Sequence, residues 1–267
     1  MLRDITIGQY YPVESYIHSL DPRTKLTGTM VFLLSLFITK SVTGYIIATI
    51  FLAVMIRMSH VPFKFITKGL KAIVFLLILS VSFNLFLTDG TPIIKIGFFR
   101  ITWEGLWLSA FMAVRLVYLV IGSSVMTLTT TPNQLTDGIE KGLAVFNRFG
   151  VPVHEIAMMM SIALRFIPIL VEETDKIMKA QMARGADFET GGLIQKAKAM
   201  IPLLVPLFIS AFRRASDLAM AMEARCYHGG EGRTKMKPLH YTNLDKKAYI
   251  IMLVYLSLMF ASRFSPL

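Results

Sequence analysis

The chain has 267 residues, 54% of them hydrophobic, with a mean hydropathy of +0.59 and a net charge of +11. Soluble domains carry about 45–50% apolar residues, so a chain this greasy and basic fits beside anionic lipid rather than on nucleic acid. A single cysteine, Cys226, excludes an intrachain disulfide.

Met1 to Lys25 is a polar lead-in without the apolar core of a cleavable signal peptide. It runs out as Leu20-Asp21-Pro22-Arg23-Thr24-Lys25-Leu26, where Asp21 as N-cap and Pro22 at the first helical position predict a helix start. Leu26–Thr39 and Tyr45–Ile56 are apolar runs split by Lys40-Ser41-Val42-Thr43-Gly44. Each is short for a span of about 20 residues. Two spans joined by a tight outer turn are the best reading, with a re-entrant pair as the alternative. Arg57 to Lys71 is basic, and Ala72–Leu87 is a third apolar run that starts upstream near Phe63. After the turn Asp89-Gly90-Thr91-Pro92, alternation over Ile93–Thr102 predicts a short hairpin or an interfacial strand pair. Trp103 and Trp107 suit a membrane–water interface. Gly105–Leu128 is the fourth run, interrupted by Arg115. Polar residues inside apolar runs are functional candidates by default. With no acidic partner in the spans, Asn84 and Arg115 read as helix–helix bonding or snorkelling.

Three amphipathic helices follow. Thr131 caps the first, whose face is Leu135, Ile139, Leu143, Phe146 and Phe149, and Gly150 stops it. Pro152 opens the second, with Ile156, Met160, Ala163, Ile167, Leu170, Thr174 and Ile177 on one side and a kink predicted at Pro168. Asp187–Gly192 is a loop. The third, Leu193–Arg225, carries Ile194, Ala197, Ile201, Val205, Phe208, Phe212, Ala215 and Leu218, with bends predicted at Pro202 and Pro206. Unbroken, each of the last two runs about 45–50 Å. Their stripes are too long to be buried by each other alone, so they lie along the membrane or cradle another membrane protein. The 17 methionines suit surfaces that pack against more than one partner, although most simply fill gaps. Tyr227–Lys247 is polar, and Ala248–Ala261 is a last apolar run closed by Arg263.

Lysine and arginine are unevenly placed. Met1–Lys25, Arg57–Lys71 and Thr131–Lys247 hold three, four and sixteen of them, 23 of the 28 in the chain. Lys40, Lys95, Arg100 and Arg263 lie on the other side. The positive-inside rule then predicts a cytoplasmic N-terminus and a cytoplasmic Thr131–Lys247 block. The expected fold is an all-α polytopic membrane protein with about five transmembrane helices and a cytoplasmic module of three long amphipathic helices. Its divisions are an N-terminal segment at 1–25, helices one to four at 26–130, the module at 131–247 and a last span at 248–267.

Little in the sequence carries chemistry. No glycine-rich loop followed by Lys and Ser or Thr is present to cradle phosphate. His18, His60, His154, His228 and His240 lack metal-ligand spacing, so neither metal nor cofactor is expected. Glu172, Glu173 and Asp175 form a carboxylate cluster that reads as a solvated helix face.

The distinctive signal is a repeat. The second and third amphipathic helices close as Ala183-Arg184-Gly185 and Ala224-Arg225-Cys226, 41 residues apart. A single arginine in a last turn merely complements the helix dipole, and glycine is a usual stop. Two such ends after similar helices suggest a paired device. An arginine can bond a partner's carboxylate bidentately, at about 1.5–3 kcal/mol, and a preceding alanine lets the tip enter a groove.

On these residues the chain resembles the T component, the transmembrane scaffold, of energy-coupling factor importers, the EcfT and CbiQ-like family. The resemblance rests on Leu20 to Leu26, including Asp21, Pro22 and Arg23, and on the two Ala-Arg-x ends. It spans most of the chain. It implies a non-catalytic subunit of the cell membrane that joins two cassette ATPases to one substrate-binding S component, the vitamin being chosen by the S component. ATP hydrolysis then belongs to the ATPases. Ala183, Arg184, Gly185, Ala224, Arg225 and Cys226 become the ATPase-docking residues, and the preceding helices cradle the S component. Cys226 stands where the family often has Gly or Ser. Two other classes remain: a membrane enzyme acting on a lipid or isoprenoid, which must use Glu172, Glu173 or Asp175, and a self-contained secondary carrier, for which Arg115 is the one mid-span charge.

Overall fold

A computed structural model describes residues 10–39, 41–96, 99–188, 192–230, 236 and 238–263. Expectations for the lead-in before Tyr10, for Lys40, for the loop centre at 189–191 and for 231–235 and 237 lie outside the described residues. The elements are α1 (Pro22–Ile38), α2 (Val42–Ser59), α3 (Phe63–Ile66), α4 (Lys68–Leu87), β1 (Pro92–Ile96), β2 (Phe99–Thr102), α5 (Trp103–Thr129), α6 (Pro132–Leu143), α7 (Val153–Ala183), α8 (Leu193–Glu223) and α9 (Asn243–Ser262).

The chain is an all-α polytopic membrane protein carrying one small hairpin. Among the described residues four helices, α2, α5, α7 and α8, are long and apolar enough to cross a membrane, or five if the bent pair around α3 and α4 counts as one span. That pair turns by 61° between Phe63–Lys71 and Ile73–Leu87. Length and composition do not separate a span from an amphipathic helix, however. The surfaces of α1, α2, α4 and α9 are apolar all round, whereas α7 and α8 are one-sided. α1 is a separate helix of 17 residues and α2 one of 18, capped by Ser41 Oγ accepting from the Gly44 N–H at 3.3 Å. The expected strand pair is present, with β1 antiparallel to β2 and Lys95 opposite Arg100.

The contacts divide the chain into two compact units, one of Gly8–Gly138 with Leu239–Leu267 and one containing Ile139–Pro238. The first has a continuous core that includes Phe32, Leu36, Leu52, Ile121, Val125 and Tyr255. Gly122 lets α5 approach α1: a Cβ there lies 2.7 Å from the Phe32 ring. Polar cross-links tie the same helices. Ser35 Oγ meets the Tyr255 hydroxyl at 2.7 Å. Arg115 donates from Nε to the Tyr45 hydroxyl at 3.1 Å and from Nη2 to the Thr39 carbonyl at 3.3 Å, so it is a helix–helix bond between α5, α2 and the end of α1. Asn84 behaves otherwise: its amide donates to the Ser80 carbonyl of its own helix at 2.8 Å. An amide in apolar surroundings takes the carbonyl one turn back when no other partner is in reach.

Asp21-Pro22-Arg23 forms a buried knot at the head of this unit. Asp21 Oδ1 accepts from the Arg23 N–H at 2.9 Å, which is the expected N-cap, and from Arg23 Nε at 3.0 Å. Oδ2 takes Arg23 Nη2 at 3.0 Å, so the carboxylate is held as a fork. The Asp21 N–H donates to Asp245 Oδ1 at 2.9 Å, across 224 residues. The other oxygen of Asp245 caps α9 through the Thr242 N–H and hydroxyl, at 2.8 and 2.7 Å. Arg23 also lies over the Tyr241 ring, 4.0 Å from its centroid. Lys25, equally buried, donates from Nζ to the carbonyls of His18 and Thr129 at 3.0 and 2.9 Å. Burial pushes the His18 imidazole below its ordinary value. Its Nε2 faces the Tyr11 carbonyl and its Nδ1 the Ser15 hydroxyl, so the neutral ring carries its proton on Nε2.

Three ends are thereby fastened together: the start of α1, the start of α9 and the close of α5. Asp21→Ala strands the half-desolvated Arg23 and opens the link to Asp245. The expected loss is about 3 kcal/mol, measured as a lower midpoint of thermal unfolding in detergent, and Asp245→Ala is expected to fall in the same range.

Candidate functional site

The twin helix ends share one backbone geometry. At the close of α7 the Gly185 N–H reaches the Met182 carbonyl and the Ala186 N–H the Gln181 carbonyl, both at 3.0 Å. Gly185 is left-handed, with φ 88°. At the close of α8 the Cys226 N–H reaches the Glu223 carbonyl at 2.9 Å and the Tyr227 N–H the Met222 carbonyl at 3.0 Å. Cys226 is left-handed too, with φ 54°. The bonds fall in the same register, so Arg184 and Arg225 occupy the same place in the cap, one residue before the left-handed turn. Such a turn reverses the chain and leaves the preceding side chain outward. Ala183, Arg184, Gly185, Ala224, Arg225 and Cys226 are all exposed. Among the described residues neither arginine makes an ion pair.

This geometry gives the third position a physical meaning. The residue after each arginine must adopt positive φ, which glycine does freely and cysteine only with strain. Cys226 keeps the shape and carries that strain.

α7 and α8 pack antiparallel. Gln181 Nε2 of α7 donates to the Pro202 carbonyl of α8 at 3.4 Å. Pro206, having no N–H, leaves that carbonyl without its partner one turn on, so the glutamine fills a gap that the second proline makes. Both helices run unbroken through Pro168, Pro202 and Pro206. The first of the three expected amphipathic helices is shorter: α6 ends at Leu143 and Ala144–Phe149 continues as a tighter 3-10 turn to Gly150.

Antiparallel packing sets the two caps at opposite ends of the hairpin. By the pairing of Gln181 with Pro202, the level of Arg225 on α7 lies near residue 158. The caps are therefore about 40 Å apart along the axis at 1.5 Å per residue.

The faces that meet share only Leu170, Ala215 and Leu218 with the expected stripes. Ile162, Phe166 and Leu170 of α7 face Ala211, Ala215 and Ala219 of α8. On α8, Ile194, Ile201, Val205, Phe208 and Phe212 remain exposed. Only 11% of the most apolar window of α7 and 6% of that of α8 is buried, far less than a self-sufficient pair of helices requires. That row is an unpartnered apolar face.

Glu173 departs from the solvated reading. It accepts the Ser210 hydroxyl and both Nη2 and Nε of Arg214, at 2.8 and 3.3 Å. Asp175 sits 3.8 Å from Lys179 one turn on. Of the expected cluster, Glu173 is thus bound across to α8. Among the described residues no group of His, Cys, Asp and Glu is placed to hold a metal. The sequence signal that could have found the α7–α8 contact is the four-residue spacing of Ala211, Ala215 and Ala219.

Residues 13–236 match the family model described as cobalt transport protein, CbiQ. The chain is 55% identical over 265 residues to the energy-coupling factor transporter transmembrane protein EcfT of Clostridium kluyveri, covering 98% of each chain. It is 55% identical over 249 residues to the protein of that name from Thermosediminibacter oceani, covering 93% of this chain and 94% of the other. To that of Bacillus subtilis it is 46% identical over 264 residues, covering 98% and 100%.

Changing the cap residues tests the shared geometry. Cys226→Gly is expected to stabilise the α8 end by about 1 kcal/mol and Gly185→Ala to destabilise the α7 end by a similar amount. Hydrogen exchange at Met222–Tyr227 and Gln181–Ala186 reads both changes.

Proposed function

The chain belongs to the CbiQ cobalt transport protein family, and from that membership we propose that it is the coupling subunit of an energy-coupling factor importer, docking two ATPases through Arg184 and Arg225. The observation that carries this reading is the pair of identical, outward arginine caps about 40 Å apart at the two ends of one antiparallel hairpin. Two separated, equivalent plugs suit two equivalent sockets, one on each ATPase subunit. The lysine and arginine distribution supports a cytoplasmic Thr131–Lys247 block, where ATPases are found.

The rest of the module fits a second partner. An importer of this type takes its substrate from a separate membrane-embedded S component. The exposed row of Ile201, Phe208 and Phe212 on α8 offers such a component an apolar bed. The S component then sets which vitamin or other micronutrient is carried. ATP is hydrolysed by the partner ATPases, in keeping with a sequence that has no phosphate-cradling loop. In this reading the chain works as a mechanical link. Nucleotide-driven closure of the ATPases moves the two caps, and α7 and α8 carry the movement to the S component.

The membrane-enzyme reading loses its best residue, because Glu173 is held by Ser210 and Arg214.

Charge reversal tests the docking. Arg184→Glu and Arg225→Glu each replace an attraction of about 1.5–3 kcal/mol by a repulsion. Each is expected to weaken co-purification with the ATPases at least about tenfold, a drop that follows from about 1.4 kcal/mol. ATP-driven uptake should stop while membrane insertion stays normal, and the double change should be worse than either. Uptake by the double variant at the parental rate overturns the docking role.

A further inference from the structure

We propose that Glu173, Ser210 and Arg214 form a positioning pivot that keeps α7 and α8 joined where they cross while the two arginine caps move; this rests on the docking reading above. The geometry is that of a clasp. One carboxylate on α7 accepts the Ser210 hydroxyl and two nitrogens of the Arg214 guanidinium on α8, at 2.8 and 3.3 Å. Both Arg214 nitrogens end on Oε2 while Ser210 takes Oε1, so each oxygen of the carboxylate is tied to α8.

Its place in the hairpin is what marks it. Glu173 lies eleven residues before Arg184, and Arg214 lies eleven residues before Arg225. The offset of 41 residues that superposes the caps therefore also superposes Glu173 on Arg214. In an antiparallel pair of equivalent helices, equivalent positions meet only at the crossing. Glu173 is level with Ser210, about 16 Å from the Arg184 cap and about 22 Å from the Arg225 cap. Arg214 reaches it from one turn on, so the clasp lies close to that crossing.

The packing beside it needs such a restraint. Ala211, Ala215 and Ala219 present a low ridge to Ile162, Phe166 and Leu170, along an open groove of about 270 Å³ that Arg214 also lines. Small side chains interdigitate less deeply than large ones. Hydrophobic contact is also non-directional. The other polar tie, from Gln181 to the Pro202 carbonyl, is long at 3.4 Å and uncharged. Glu173 and Arg214 thus hold the register of the two helices where they cross. Neither is part of a cap.

The test uses the complete importer with its ATPases and S component, reconstituted in vesicles. Glu173→Arg and Arg214→Glu are made singly and then together, the double change restoring opposite charges in reversed order; the Ser210 hydroxyl both donates and accepts, so it serves either arrangement. Each single change is expected to lower uptake per ATP hydrolysed about tenfold with the ATPases still bound, and the double change to bring it back to within about threefold of the parent. Parental uptake in the singles overturns the pivot. So does failure of the double change to rescue while the subunits remain assembled, and so does loss of the ATPases from the singles, which makes the cluster a docking element instead. The docking reading is judged separately, by whether Arg184→Glu releases the ATPases.

Discussion

A helix that closes on a left-handed residue turns its chain back and sets the preceding side chain outward, and this constraint organises the functional half of the molecule. It is satisfied twice with the same bonds, once by Gly185 and once by Cys226. At the second site the shape is kept by a residue that is strained in it. Strain of that kind persists where the surroundings determine the conformation. The arginine's direction is therefore set by the backbone, and the proposed docking rests on it.

The two units of the chain solve opposite problems. In the unit of Gly8–Gly138 and Leu239–Leu267, apolar helices gather around a shared core, and the starts of α1 and α9 are pinned by Asp21, Arg23 and Asp245. Arg23, Lys25 and Arg115 each have named acceptors there. The motif at Asp21-Pro22-Arg23 is architectural in this sense: it fastens the first helix to the last. In the unit containing Ile139–Pro238, α7 and α8 leave most of their apolar surface open. A helix pair that buries so little of itself is built to be completed by something else.

Much of this was legible in the sequence. Asp21 before Pro22 announced a cap, alternation announced the hairpin at 92–102, and the matched Ala-Arg ends announced equivalent helix closures. Arg115 without an acidic neighbour was readable as a helix–helix bond. What escaped depends on which faces meet. Glu173 looks like one of three solvated carboxylates until α8 is laid antiparallel against α7. The apolar stripe through Phe208 and Phe212 is left open, as its length suggested, but nothing in it told that the helices meet on the alanine side. Asp21 and Asp245 are 224 residues apart, and no local pattern links them. Cys226 could be recognised as a left-handed position only once its bonds matched those of Gly185.

Under the proposed docking, one chain presents two equivalent cationic tips to two separate ATPase subunits. A cryo-electron microscopy map of the assembled importer in lipid tests it most directly. The account predicts Arg184 seated against acidic residues of one ATPase subunit and Arg225 against the matching residues of the other. Both tips on one subunit, or either tip facing lipid or the outer side of the membrane, contradicts it.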